Sequence, residues 1–353
     1  MRRNNTILHR AIGEAGALED TRGGHARVKK ARLAVGYGSI CGGCDVAFTD
    51  VGTELVDLAE LVDIVYWPAV VDGKIEQLKK ISDIDIGIYF GAVRTEHHEL
   101  VLRLLDEKSK ILVAFGTCPC YGGIPALGNV ETSDSLLQTA YSEAPNTTND
   151  GIPGLRKLKR QTMEVPRLKA FISAPSDLVN FDVFVPGCPP PVQSVSKLID
   201  LIRDYSAGDP IPEMHFIAEE TSVCDFCKRE KPEVISIDRI MRIHEVEFNE
   251  DECFLSQGIL CMGPVTRAGC GEEPRCIQKN MPCRGCFGPL PKVRDQGTKF
   301  LSSIASSIVL GKEKNMSDED LQHLVKKQVL DPVGQFYRFA LAVAAFNRRY
   351  TGD

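Results

Sequence analysis

Six of the chain's 13 cysteines fall within residues 253–286, in the run CFLSQGILCMGPVTRAGCGEEPRCIQKNMPCRGC. They are interleaved with Gly and Pro and close on Cys283 and Cys286 in C-x₂-C spacing. A backbone this rich in turn formers can curl around a compact object, and thiolates at this density call for a metal or a cluster. The wider segment 209–290 holds eight cysteines and little apolar periodicity. Such a segment needs inorganic staples to hold its shape.

What those thiols mean depends on the compartment. Met1-Arg2-Arg3 opens like a twin-arginine export signal, but the polar residues after it contain no apolar core, so a cytoplasmic location is expected. In a reducing compartment cysteines read as metal or redox ligands rather than disulfides. Thirteen is three sets of four with one over. No apolar run of about 18 residues is present, so no membrane span is expected. A net charge of −6 gives no reason to expect nucleic acid, and the basic run Arg156-Lys157-Leu158-Lys159-Arg160 reads as solvated loop.

At 353 residues the chain suits two domains, or one with large additions. Residues 1–30 form a polar extension. From residue 31 short apolar runs at 33–36, 63–70, 84–90, 111–115 and 181–185 read as strands. Helical spacing appears at Leu55, Leu58, Ala59 and Val62, over 96–107, and at Val192, Val195, Ile199 and Ile202. This alternation predicts an α/β domain over 31–208 built on a doubly wound parallel sheet. Residues 131–180 carry no clear pattern. A loop-rich domain at 209–290 follows, then a helical extension at 291–353. Its helices are expected at 296–310 and at a closing stripe of Phe336, Phe339, Ala340, Val343 and Phe346.

Cys41 and Cys44, Cys118, and Cys188 each follow the carboxyl end of a predicted strand, the edge where open α/β sheets bind ligands. Four cysteines distant in sequence can therefore meet at one site. Divided in order, the remaining eight make Cys224, Cys227, Cys253 and Cys261, then Cys270, Cys276, Cys283 and Cys286. Cys118 is favoured over Cys120 as a ligand because it follows its strand more closely. Structural zinc is the rival, but only 224/227 and 283/286 form the knuckles it favours. His97 and His98, at a helix start, read as exposed, and His215 and His244 lack ligand spacing. Asp45 reads as a helix-entry acid that could also tune the adjacent site. Gly42-Gly43 makes no nucleotide fingerprint.

The C-x₂-C after the first strand, Gly116-Thr117-Cys118 with Tyr121-Gly122-Gly123-Ile124-Pro125, and Pro186-Gly187-Cys188-Pro189-Pro190 resemble the small subunit of nickel–iron hydrogenases. Gln257-Gly258-Ile259-Leu260-Cys261-Met262-Gly263-Pro264 and Pro282-Cys283-Arg284-Gly285-Cys286-Phe287-Gly288-Pro289 narrow it. They are similar to the small subunit of the cytoplasmic methyl-viologen-reducing type that works with heterodisulfide reductase. The resemblance implies a flavodoxin-like sheet and three 4Fe–4S clusters. The proximal one falls to Cys41, Cys44, Cys118 and Cys188, the medial to Cys270, Cys276, Cys283 and Cys286, and the distal to Cys224, Cys227, Cys253 and Cys261. Many relatives place His at the first distal position and Pro at one medial position, where Cys224 and Cys276 stand here. It further implies a large-subunit partner carrying the nickel–iron site, so no catalytic residue is expected in this chain. An iron–sulfur or flavin acceptor subunit is expected near the distal cluster. The alternatives are a deazaflavin-, NAD(P)- or sulfur-reducing small subunit, a one-cluster subunit of a quinone-reducing complex, and a zinc-stapled scaffold.

Overall fold

In the computed structural model the run Ala31–Tyr37 forms β1, apolar but for Arg32 and buried on both faces along Leu33–Gly36. Double burial of this kind belongs to a parallel sheet covered by helices on each side. There follow β2 (Val62–Tyr66), β3 (Ile84–Phe90), β4 (Val93–Thr95), β5 (Ser109–Phe115) and β6 (Arg156–Leu158). Then come β7 (Gln161–Met163), β8 (Leu168–Ser173), β9 (Val183–Val185) and β10 (His215–Phe216). The structure describes residues 30–148, 151–152 and 166–345, with the backbone of β6 and β7 between them. The polar extension up to residue 29, Lys159, Arg160 and Phe346 lie outside the described residues.

Six strands form one sheet in the order β2-β1-β3-β5-β9-β10, and every pairing in it is parallel. This is the flavodoxin-like, doubly wound order with one strand added at the far edge. The α/β parallel sheet expected from the sequence is present. One face packs Leu33, Val35, Ile86, Ile88, Phe90 and Phe115 against Leu58, Val195, Leu198 and Ile199 of helices Glu54–Leu61 and Val192–Ala207. The other packs Ala34, Tyr89, Leu112 and Ala114 against Val101, Leu102 and Leu105 of helix Glu96–Lys108. That helix crosses β1 closely: a Cβ on Gly36 would lie 2.7 Å from side-chain carbons of Val101 and Leu105.

Several expectations are corrected. The strand expected at 63–70 stops at Tyr66, and Pro68 opens a helical turn, Pro68–Val71. Proline fixes φ and cannot donate to a ladder, so the strand cannot run through it. The helix expected to include Val62 ends at Leu61, Val62 being the first residue of β2. The pattern-free segment 131–180 contains helix Ser133–Gln138 and β8, which pairs antiparallel with β4, a strand too short to show periodicity. Part of the basic run is not loop, because β6 pairs with β7. His98 is half-buried, not exposed, and its Nδ1 accepts from the Arg94 N–H at 3.3 Å.

The closing helix is also corrected. Only Pro332–Phe336 is helical, and residues 337–345 run in turns. The side chains of that stripe enter different cores: Phe336 packs with helix Gln296–Val309, Ala340 with the sheet, and Val343 against both the sheet and the cluster of Ala126 and Ile172. The Phe339 carbonyl accepts from Gly123 N–H at 3.1 Å instead of closing a helical turn.

Between β10 and helix Gln296–Val309 the regular elements are single turns: Val223–Phe226, Gly263–Val265 and Arg275–Gln278. This layer still shares an apolar cluster, in which Phe254, Leu260, Cys261 and Cys283 pack with Phe300, Ile304 and Ile308 of that helix.

Candidate metal centres

Because the sheet is parallel, β1, β5 and β9 release their chains at one edge, and Cys41/Cys44, Cys118 and Cys188 stand just beyond it. Cys44 is held above the usual thiol range by burial first, then by Cys118, Cys188 and Cys41. Cys118 is pushed up to about 12 by burial, then by Cys188 and Cys41. Burial, then Cys41, raises Cys188. Repulsion of this kind acts at short range, so the four thiols are neighbours at this edge, and Cys120, raised by burial and then by Cys118 and Cys44, lies near them. The backbone is shaped around them: a Cβ on Gly116 would lie 2.7 Å from Cys44 Sγ, and one on Gly123 2.5 Å from Cys118 Sγ. Cys41 and Cys188 are exposed, so the site opens to the surface.

Cys120 is buried in the sheet core, with its Sγ donating to the Ala114 carbonyl at 3.6 Å. Asp45 sits in the first turn of helix Gly43–Thr49. Its carboxylate accepts from Tyr37 Oη at 2.6 Å and Trp67 Nε1 at 3.3 Å.

The other eight thiols fall into two neighbourhoods. Cys286 is pushed up to about 12 by burial, then by Cys276 and Cys270. Cys276 is raised by burial, then by Cys270. Cys224 is pushed up to about 12 by burial, then by Cys261, with Cys253 and Cys227 contributing less. Cys283 is raised by burial, then by Cys261 and Cys286, which places it at the boundary between the two sets. A Cβ on Gly263 would lie 3.1 Å from Cys224 Sγ and 3.6 Å from Cys261 Sγ.

Backbone N–H groups join neighbouring sets. The Cys188 backbone N–H lies toward the sulfur of Cys286 and works against the rise in that thiol's pKa. The Cys283 N–H donates to Cys261 Sγ at 3.3 Å. Thr117, 1% exposed, braces the first junction. Its Oγ1 donates to the Cys286 carbonyl at 2.7 Å and accepts from the Gly187 N–H at 3.2 Å.

A cavity of about 390 Å³ is lined by Cys188, Cys270, Cys276, Cys283 and Cys286. Arg267, Arg275, Arg284 and Arg338 also line it, and no carboxylate does. A cluster held by four thiolates carries negative charge, and this lining suits it. Among the described residues, no three Cys, His, Asp or Glu side chains form a group that could hold a single metal ion. Sequence reasoning missed Thr117, Arg284 and Arg338. The first lies inside a quoted motif, but nothing local signals its partner 169 residues away.

A family model described as "NADH ubiquinone oxidoreductase, 20 Kd subunit" matches residues 41–202. The iron-sulfur G subunit of the F420-non-reducing hydrogenase of Archaeoglobus profundus is 34% identical over 91% of this chain and 98% of its own length. The corresponding G subunit from Methanothermobacter thermautotrophicus is 33% identical over 86% of this chain and 92% of its own. Among solved structures, the NAD+-reducing NiFe-hydrogenase in the H2-reduced state matches with a TM-score of 0.44 and 27% identity, covering 52% of this chain and 94% of that one. The molecule is a subunit of the hydrogenase class. The chain belongs to the family of G subunits of F420-non-reducing hydrogenases.

No helix among the described residues is long and apolar enough to cross a membrane.

Proposed function

We propose that Cys41, Cys44, Cys118 and Cys188 hold a proximal 4Fe–4S cluster, Cys270, Cys276, Cys283 and Cys286 a medial one, and Cys224, Cys227, Cys253 and Cys261 a distal one. Bound there, the clusters supply one-electron transfer between the large subunit's nickel–iron site and an acceptor. The acceptor is a cytoplasmic iron–sulfur adaptor of heterodisulfide reductase. The observation that carries this reading is the order in which the sets meet: Thr117, beside Cys118, donates to the Cys286 carbonyl at 2.7 Å, and the Cys283 N–H donates to Cys261 Sγ at 3.3 Å.

The chain's own groups do the rest. Thiols supply the ligands. N–H donors and the guanidiniums of Arg284 and Arg338 offset negative charge on sulfur. Phe254, Phe287 and Phe300 are buried and keep water from the ligand loops. The exposed Cys41 and Cys188 leave the proximal site open toward the large subunit.

Anaerobic iron and acid-labile sulfide analysis tests the assignment, with about 12 irons per chain expected for three cubanes. A count near four would remove both C-terminal clusters. Zinc without visible iron–sulfur absorbance would replace the relay with a scaffold. Isolation of the native complex tests the acceptor: a flavoprotein docked directly at the distal set would favour a deazaflavin- or nicotinamide-reducing enzyme.

A further inference from the structure

A cleft of about 720 Å³ opens between the loop at 238–245 and the C-terminal helices Asp318–Gln328 and Pro332–Phe336. Its floor is aliphatic, with Ile240, Ile243, Ile259 and Leu260. Its rim is basic, with Arg239, Arg242 and Lys327 all exposed. None of the three makes an ion pair among the described residues. Of the two carboxylates in the lining, Asp238 pairs with Lys312 at 3.4 Å, and Glu245 accepts from the Arg242 backbone N–H at 2.8 Å. Leu330, also in the lining, is 76% exposed. The aliphatic floor and the uncovered Leu330, rimmed by these cations, form an apolar surface with a polar edge of the kind that marks a contact site.

The position of the cleft gives that contact a purpose. Leu260 directly precedes Cys261, and Arg284, which directly follows Cys283, lines both this cleft and the thiol cavity. An occupant would therefore lie one residue from the junction of two cysteine sets.

We propose that this cleft docks the electron-accepting protein, which inserts an acidic segment bearing aliphatic side chains. This rests on the relay described above. One electron leaves this chain and reduces the partner by one, and no bond is made or broken. The aliphatic floor supplies contact area for a segment laid into the groove. The cationic rim speeds encounter with an acidic partner and makes that rate fall with salt.

The test uses the assembled hydrogenase under H2 with two acceptors, a purified acidic ferredoxin and a cationic viologen dye. The double variant Arg239→Glu/Lys327→Glu should reduce the ferredoxin about tenfold more slowly than wild type at low salt, with dye reduction unchanged. The wild-type ferredoxin rate should fall as salt is raised. Equal ferredoxin rates in the two proteins overturn the proposal. So does a wild type that reduces the dye and leaves the ferredoxin oxidised. If the double variant folds poorly, seen as lost dye reduction, Leu330→Asp decides by the same comparison. A wild type with its full iron content that reduces neither acceptor would instead sink the relay itself.

Discussion

Thr117 lies 169 residues from Cys286, yet its hydroxyl donates to that residue's carbonyl while accepting from Gly187. Thr117→Val keeps the shape and removes both bonds, leaving a carbonyl and an N–H unpaired in a buried place. The cost should be about 1–3 kcal/mol, read as a lower urea midpoint, and Thr117→Ser should recover most of it. An unchanged midpoint would mean that the brace is dispensable. Cys118 and Cys120 make a sharper contrast. Cys118 lies near Cys188 and Cys41, whereas Cys120 is enclosed by the sheet core. Cys120→Ala should retain the full iron count, and Cys118→Ala should lose about four irons. The reverse result would exchange their roles. Sequence order favours Cys118 for its nearness to the strand end, and burial of Cys120 supplies a physical reason for the same choice.

At the scale of elements, the junction of β4 with helix Glu96–Lys108 depends on a neutral histidine. The His98 N–H donates to the capping Thr95 Oγ1 at 3.2 Å, and its Nδ1 accepts from Arg94. Burial, with His97 nearby, holds the imidazole below its usual 6.5. A folded value below the unfolded one means that the unfolded chain takes the proton more readily. The stabilisation is therefore complete above 6.5 and is lost as pH falls through the window beneath it. His98→Asn should flatten the dependence of the thermal midpoint on pH in that window. Equal slopes in both proteins would show that the fold does not select neutral His98. This junction was illegible in the sequence because β4 is three residues long and its partner β8 lies in the segment without periodicity. The helix itself was legible, since Val101, Leu102 and Leu105 repeat at its period.

The whole molecule joins two kinds of stability. The sheet has apolar clusters on both faces. The cysteine layer has one cluster, which depends on helix Gln296–Val309 and includes two of its own thiols. Stripping the clusters should therefore speed hydrogen exchange across residues 218–290 while β1, β3 and β5 stay protected. Uniform loss of protection would mean that the sheet also leans on the metal.

The sequence by itself determined the parallel sheet, because alternating apolar runs and helical stripes are local and periodic. The proposed division of the thiols is also drawn from it, because strand ends and C-x₂-C spacing are short-range signals. Only the tertiary structure decided how the thiol sets meet. The bonds from Cys283 to Cys261 and from Thr117 to Cys286 span 22 and 169 residues. No local pattern encodes such pairings; they follow from where the sheet edge and the loop layer come to rest against each other.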